Sequence, residues 1–196
     1  MIVKQIYAAP AFCREEILRY AGCRQADVEV ESLLESCLQE AEKALVYSVC
    51  YRELDVKIQG DVCNFTDFCV QSEALARNLA GCDKGILFAA TVGVGIDRLM
   101  EKYSRLAPSK ALLLQAVGAE RIEALCDVFC ADIAKMYHRE TKPRFSPGYG
   151  DVPLETQREI FRLLDCPRQI GLTLNHSLSM SPTKSVTAFV GLKNSR

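Results

Sequence analysis

Apolar residues recur at every third or fourth position through two early stretches, 11–21 and 27–45. In the second, Val28, Val30, Leu33, Leu34, Cys37, Leu38, Ala41 and Leu45 share one stripe, which predicts packed helices. Over 46–62 the rhythm moves toward period two with β-branched residues, and Gly60-Asp61 follows. The segment reads as two short strands joined by a turn. Helical spacing returns at 71–79 and stops at Gly81, a residue suited to a left-handed cap.

The run Ile86-Leu87-Phe88-Ala89-Ala90 is short and continuously apolar, as in a buried strand over 85–91. It leads through Val92-Gly93-Val94-Gly95 into a helical stretch, 96–103. A third glycine of a GxGxxG nucleotide motif would fall at Arg98, so a tight strand-to-helix turn accounts for the glycines without a ligand. Residues 108–138 predict one long helix, striped by Leu114, Val117, Ile122, Leu125, Phe129, Ile133 and Met136. Gly118 inside it marks a close contact or a bend. Beyond 142, five prolines punctuate loops around a helix at 154–164 and strands at 170–174 and 185–192. Without a repeat or linker, the 196 residues read as a single α/β domain, 1–196.

Charge narrows the partners. With 24 Lys+Arg against 25 Asp+Glu, the net charge of -1 lacks the basic excess that neutralising a phosphate backbone requires, so nucleic acid is not expected. Residues 1–7 carry one lysine and no apolar signal-peptide core, and no run approaches the ~18 apolar residues of a membrane span. The expected location is the cytoplasm. Ten scattered cysteines form no CxxC pair, and they read as reduced, often buried thiols rather than a disulfide framework or metal site. Cys126 and Cys130 sit four apart on the long helix but find no histidine nearby in sequence to argue for zinc.

The segment richest in chemistry is Arg144-Phe-Ser-Pro-Gly148-Tyr149-Gly-Asp-Val-Pro153, followed by Ile170 to Ser177, Met180-Ser-Pro182 and Ser185-Val186. Taken singly, Arg144 is a surface charge, Tyr149 a turn-packing residue, and Glu123 with Glu120 and Asp127 a solvated helix face. Together Arg144, Gly148 and Tyr149 suit a small ligand: Arg144 can fork onto a carboxylate, prolines stiffen an extended backbone whose amide and carbonyl groups can bind it, Gly148 permits close approach, and Tyr149 adds an aromatic face with a polar tip.

This segment resembles the reactivation domain of cobalamin-dependent methionine synthase, whose signature is an arginine, three residues, Gly-Tyr, three residues and a proline; all four fixed positions are present. The likeness extends more weakly upstream, through Thr91 to Gly93 and the helix around Glu123. It covers about the last 110 residues, and the first 80 only by the order of elements. The resemblance implies a mostly antiparallel central sheet flanked by long helices, with residues 81–196 as the ligand-binding part. It implies that S-adenosylmethionine is bound by Arg144, Ser146, Gly148, Tyr149 and Glu123, with His176 in the following segment. It also implies a role in restoring oxidised cobalamin, by reductive methylation of cob(II)alamin, with an electron donor such as flavodoxin or ferredoxin.

The chain departs from the family in two places. Where the family commonly reads Leu-Thr-Glu-Ser, this chain has Leu174-Asn175-His176-Ser177, replacing a carboxylate with an amide and an imidazole. The family's domain also continues into a return strand with an aromatic contact to the ligand, beyond the point reached by Arg196. His138 and His176, the two histidines, lie in no Asp-x-His-x-x-Gly cobalamin motif, so cobalamin is expected on a partner. That partner would be a corrinoid protein, or a methionine synthase lacking its own activation domain. The rival expectation is a docking partner of a corrinoid protein that binds S-adenosylmethionine weakly or not at all. A thiol-based redox or metal protein is the third.

Overall fold

The computed structural model describes residues 1–194. The chain runs β1 (Val3–Tyr7), α1 (Arg14–Tyr20), α2 (Val28–Ala44), β2 (Tyr47–Gln59), β3 (Val62–Phe65), β4 (Cys69–Gln71), α3 (Glu73–Leu79) and β5 (Cys82–Thr91). It continues with α4 (Gly95–Leu106), α5 (Pro108–Tyr137), α6 (Thr156–Leu164), α7 (Cys166–Ile170), β6 (Thr173–Leu174), β7 (Met180–Ser181) and β8 (Ser185–Lys193).

The main sheet is ordered β4-β3-β2-β5-β8, with β1 also paired to β2, and every pairing is antiparallel. Helices cover both faces. Ile86, Phe88 and Ala90 of β5 and Ala188, Val190 and Leu192 of β8 pack with α1, α2, α4 and α5. The alternate residues Leu87, Ala89 and Phe189 pack with α3, α6 and α7. A strand buried on both faces has no solvent side to mark with polar residues, which is why β5 is continuously apolar in sequence. A single domain with a mostly antiparallel sheet between helices is the architecture the resemblance implied. No helix among the described residues is long and apolar enough to cross a membrane.

Several boundaries differ from the sequence reading. Residues 47–59 form one strand of 13 residues, and the Gly60-Asp61 turn lies after it, with Gly60 at φ 64° and Gln59 facing Val62. The charged residues along it are paired: Arg52 meets Asp67 at 2.5 Å, while Lys84 of β5 pairs Glu53 and reaches Asp55 at 3.5 Å. Residues 166–170 are helical, opened by Pro167 in the first turn, so the strand expected over 170–174 shrinks to Thr173–Leu174. Pro167 thus starts a helix instead of holding a loop. Strands β1 and β4 were not anticipated, and Val28 and Met136, counted in helix stripes, are 86% and 56% exposed.

Two glycines noted in the sequence have steric causes. A Cβ at Gly95 would lie 2.1 Å from the Ala44 carbonyl oxygen, so the start of α4 touches the end of α2 backbone to backbone. At Gly118 it would lie 2.9 Å from Cγ of Lys184, whose stem crosses α5 there.

Candidate functional site

The segment after α5 returns along β8. Phe145 exchanges backbone hydrogen bonds with Phe189 at 2.9 and 2.8 Å, and the Phe189 ring stacks on Phe65 at 5.1 Å. The segment then makes a tight turn: Tyr149 N–H donates to the Ser146 carbonyl at 3.2 Å, and Gly148 N–H to the Val152 carbonyl at 2.9 Å. Gly148 sits at φ 86°, where a side chain is disfavoured.

Asp151 moors the turn to α3. Its carboxylate accepts the Ser72 hydroxyl, the Glu73 amide at 2.8 Å and the Ala74 amide at 3.2 Å. The Ser72 bond, with these amides, holds the Asp151 pKa below the usual carboxylate value. Asp97 fixes the approach to β8 in the same way, accepting the Thr183 amide at 2.9 Å and the Thr183 hydroxyl.

These elements enclose a cleft of about 460 Å³. Its rim is Glu123 of α5 with Arg144, Phe145, Ser146, Pro147 and Tyr149 of the returning segment. Gln157 of α6, Met180 of β7 and Ser185, Val186 and Thr187 of β8 complete it. Tyr149, 68% exposed, stands at the mouth.

Arg144 joins the two parts of the rim. One guanidinium nitrogen meets Glu123 at 2.7 Å and another meets Asp127 at 2.5 Å. Burial works against its charge, but the bond to Asp127 and that carboxylate's charge, with the neighbouring Cys126 and Cys130 thiols, hold the Arg144 pKa above the usual value. Neither carboxylate was assigned this partner in the sequence reading. Nor does the solvated-face reading hold for Glu120, which is 4% exposed and bound to Arg121 at 2.5 Å.

Of the six residues named from sequence, four come together at the cleft: Glu123, Arg144, Ser146 and Tyr149. Gly148 shapes the turn beside it without lining it. His176 is exposed in the turn between β6 and β7, also outside the lining. There Asn175 accepts Ser177 Oγ at 2.8 Å and Ser179 N–H at 2.9 Å, so its amide closes the turn. Gln157 and Thr187 were missed, and Met180, Ser185 and Val186, quoted with the motif, were given no role in the site. The available sign was a polar residue on an otherwise apolar helix stripe, Gln157 ahead of Ile160, Phe161 and Leu164.

The family model for the activation domain of vitamin B12 dependent methionine synthase matches residues 27–195. The chain belongs to that family. Among solved structures, it is similar to the MetH reactivation domain bound to AdoHcy, with a TM-score of 0.71 and 16% sequence identity, over 100% of this chain and 80% of that one. At that identity the likeness establishes the fold. No curated protein matches the chain. The family match begins at residue 27, well ahead of the segment on which the sequence resemblance chiefly rested.

The cysteines of this activation-domain fold are all free. Cys37, Cys50, Cys63, Cys82, Cys126 and Cys166 are buried. Burial pushes the Cys37 and Cys63 thiols up to about 11, which keeps them protonated and unreactive near neutrality. Among the described residues no group of three or more His, Cys, Asp and Glu is placed to hold a metal. At pH 8, a thiol reagent is expected to label the exposed Cys13 and Cys69 quickly and these six only after unfolding. Peptide mapping by mass spectrometry checks this; fast labelling of the six in native protein would refute it.

Proposed function

We propose that this chain binds S-adenosylmethionine in the cleft between α5, the Arg144–Tyr149 segment and β8, and supports reductive methylation of cob(II)alamin held by another protein. The observation that carries the reading is the joining of Glu123, Arg144, Ser146 and Tyr149 on one cleft in a fold similar to a domain bound to AdoHcy. The charges are compatible. Glu123, Asp127 and Arg144 together carry one net negative charge, and S-adenosylmethionine, with its sulfonium, carries one net positive charge. Arg144 takes the ligand carboxylate, Glu123 faces its ammonium, and the backbone near Ser146 reads the nucleoside.

S-adenosylmethionine supplies the methyl group and the partner's cobalamin receives it, with one electron from a donor such as flavodoxin or ferredoxin. This chain's part is orientation, since holding two reactants in line removes much of the entropic barrier. Tyr149, exposed at the mouth, offers its ring to the flat corrin and its hydroxyl to the polar donor. The partner is a corrinoid protein or a methionine synthase without its own activation domain, and the setting is the cytoplasm.

The test mixes the chain with a corrinoid protein in the cob(II)alamin state, a reductant and S-adenosylmethionine, and follows the visible spectrum for methylcobalamin. Methylation should be faster with the chain than without it, and Tyr149→Ala should slow methylation more than it weakens donor binding. One observation favours the rival reading of a docking partner with weak ligand binding: two carboxylates already occupy the Arg144 fork. Under that reading the corrinoid protein binds the chain but is methylated no faster.

A further inference from the structure

Two residues that line the cleft each carry a buried polar atom with no hydrogen-bond partner in the protein. Gln157 Oε1 on α6 and Thr187 Oγ1 on β8 are buried side-chain atoms without a hydrogen-bond partner, in residues 6% and 2% exposed. Both residues line the same cleft. Their neighbour Ser185 shows the contrast: its hydroxyl is engaged with the Pro182 carbonyl and with Thr91 Oγ1, each at 2.8 Å. A buried polar group left unpaired lowers stability, and an apolar side chain of similar shape would avoid the loss. Two such groups on one cavity, contributed by different elements, point to a ligand that completes them.

The charge layout decides which part of the ligand that is. Among the described residues lining the cleft, Glu123 and Arg144 alone are charged, and they stand together on the rim. Gln157 and Thr187 are neutral and share the cleft with the apolar Phe145, Met180 and Val186. Such a surface matches a nucleoside, an uncharged group with flat faces and a few donors and acceptors at its edges. Resting on the function proposed above, we propose that Gln157 and Thr187 are the nucleoside-binding pair of this cleft. Their amide and hydroxyl exchange hydrogen bonds with the adenosyl half, while Arg144 and Glu123 hold the amino-acid half.

Calorimetric titration with S-adenosylhomocysteine and with 5′-methylthioadenosine, which lacks the amino-acid half, tests the pair. Gln157→Met and Thr187→Val should each weaken both ligands by roughly tenfold, the scale of one hydrogen bond lost from a desolvated site. Without ligand, the melting temperature of each variant should be unchanged or higher, because an unpaired buried group has been removed. Thr187→Ser keeps the hydroxyl and should keep the affinity. Unaltered affinity for 5′-methylthioadenosine in both variants overturns the proposal, as does affinity lost only in step with a fall in melting temperature. Failure of the wild-type chain to bind S-adenosylhomocysteine is a separate result that removes the proposed function itself. Binding of S-adenosylhomocysteine but not 5′-methylthioadenosine to wild type overturns the nucleoside assignment alone.

Discussion

Arg121→Ala is expected to lower the stability of the chain by about 3–5 kcal/mol, the scale on which breaking one partner out of a buried ion pair leaves an uncompensated charge. Arg121 is fully buried, and Glu120 beside it is 4% exposed. The guanidinium meets Glu120 at 2.5 Å through Nε and again through Nη2, donates to the Pro10 carbonyl at 2.5 Å and the Ala11 carbonyl at 2.7 Å, and lies over the Phe12 ring at 4.3 Å. Glu120 in turn accepts the Cys13 amide at 3.3 Å. One side chain therefore fastens residues 10–13 to α5, and its loss strands a carboxylate and two carbonyls together. For a chain of this length the loss corresponds to a melting temperature lower by roughly 6–20 °C. The paired replacement Arg121→Met with Glu120→Gln should recover much of it, since no unpaired charge remains. A single variant melting within about 2 °C of wild type would show that the staple contributes little.

That ion pair also marks where the sequence was hardest to read. Glu120 and Arg121 are adjacent, an arrangement that does not place side chains face to face on an ideal helix surface, and Glu120 read as part of a solvated helix face. They are buried because residues 10–13 cross over them, and a contact between positions more than 100 residues apart leaves no periodic trace. Long, locally determined elements were legible. The helix predicted over 108–138 is α5, ended by His138 at φ 50°, and the strands predicted over 85–91 and 185–192 are β5 and β8. Strands β1 and β4 were not, since a strand of three to five residues depends on the edge it pairs with more than on its own pattern.

The site divides in the same way. The contiguous part, Arg144 to Tyr149, could be read because its residues are neighbours in sequence and carry a fixed spacing. Gln157 and Thr187 could not, because they are brought together only by packing α6 against the sheet. His176 illustrates the converse. Its place in the motif suggested a ligand contact, whereas Asn175 turns the chain so that the imidazole is exposed at the tip of the hairpin.

Arg144→Ala should weaken S-adenosylmethionine binding by about 2 kcal/mol, or roughly thirtyfold, near the lower end of the cost of truncating a charge-assisted pair because the side chain is only partly buried. The fold should survive. Glu123 and Asp127 are 45% and 71% exposed at their side chains, and exposed ion pairs of this kind contribute little stability. The present pairing of the guanidinium leaves two accounts of its role, and the choice of ligand separates them. If Arg144 shifts from its carboxylates to grip the ligand carboxylate, S-adenosylmethionine and S-adenosylhomocysteine lose affinity equally, because both carry that group. 5′-Methylthioadenosine, which lacks it, should be unaffected. If Arg144 instead serves only to neutralise Glu123 and Asp127, its removal leaves two free carboxylates. The positively charged S-adenosylmethionine should then bind as well as before or better, most clearly at low salt. Arg144→Lys refines the distinction, since an ammonium restores the charge but not the planar fork, and only partial recovery is expected for a carboxylate gripped through two nitrogens. Calorimetry on the three ligands with these two variants decides the matter. Equal affinity of Arg144→Ala and wild type for S-adenosylmethionine would remove Arg144 from the ligand site and leave it as the rim's structural tie to α5.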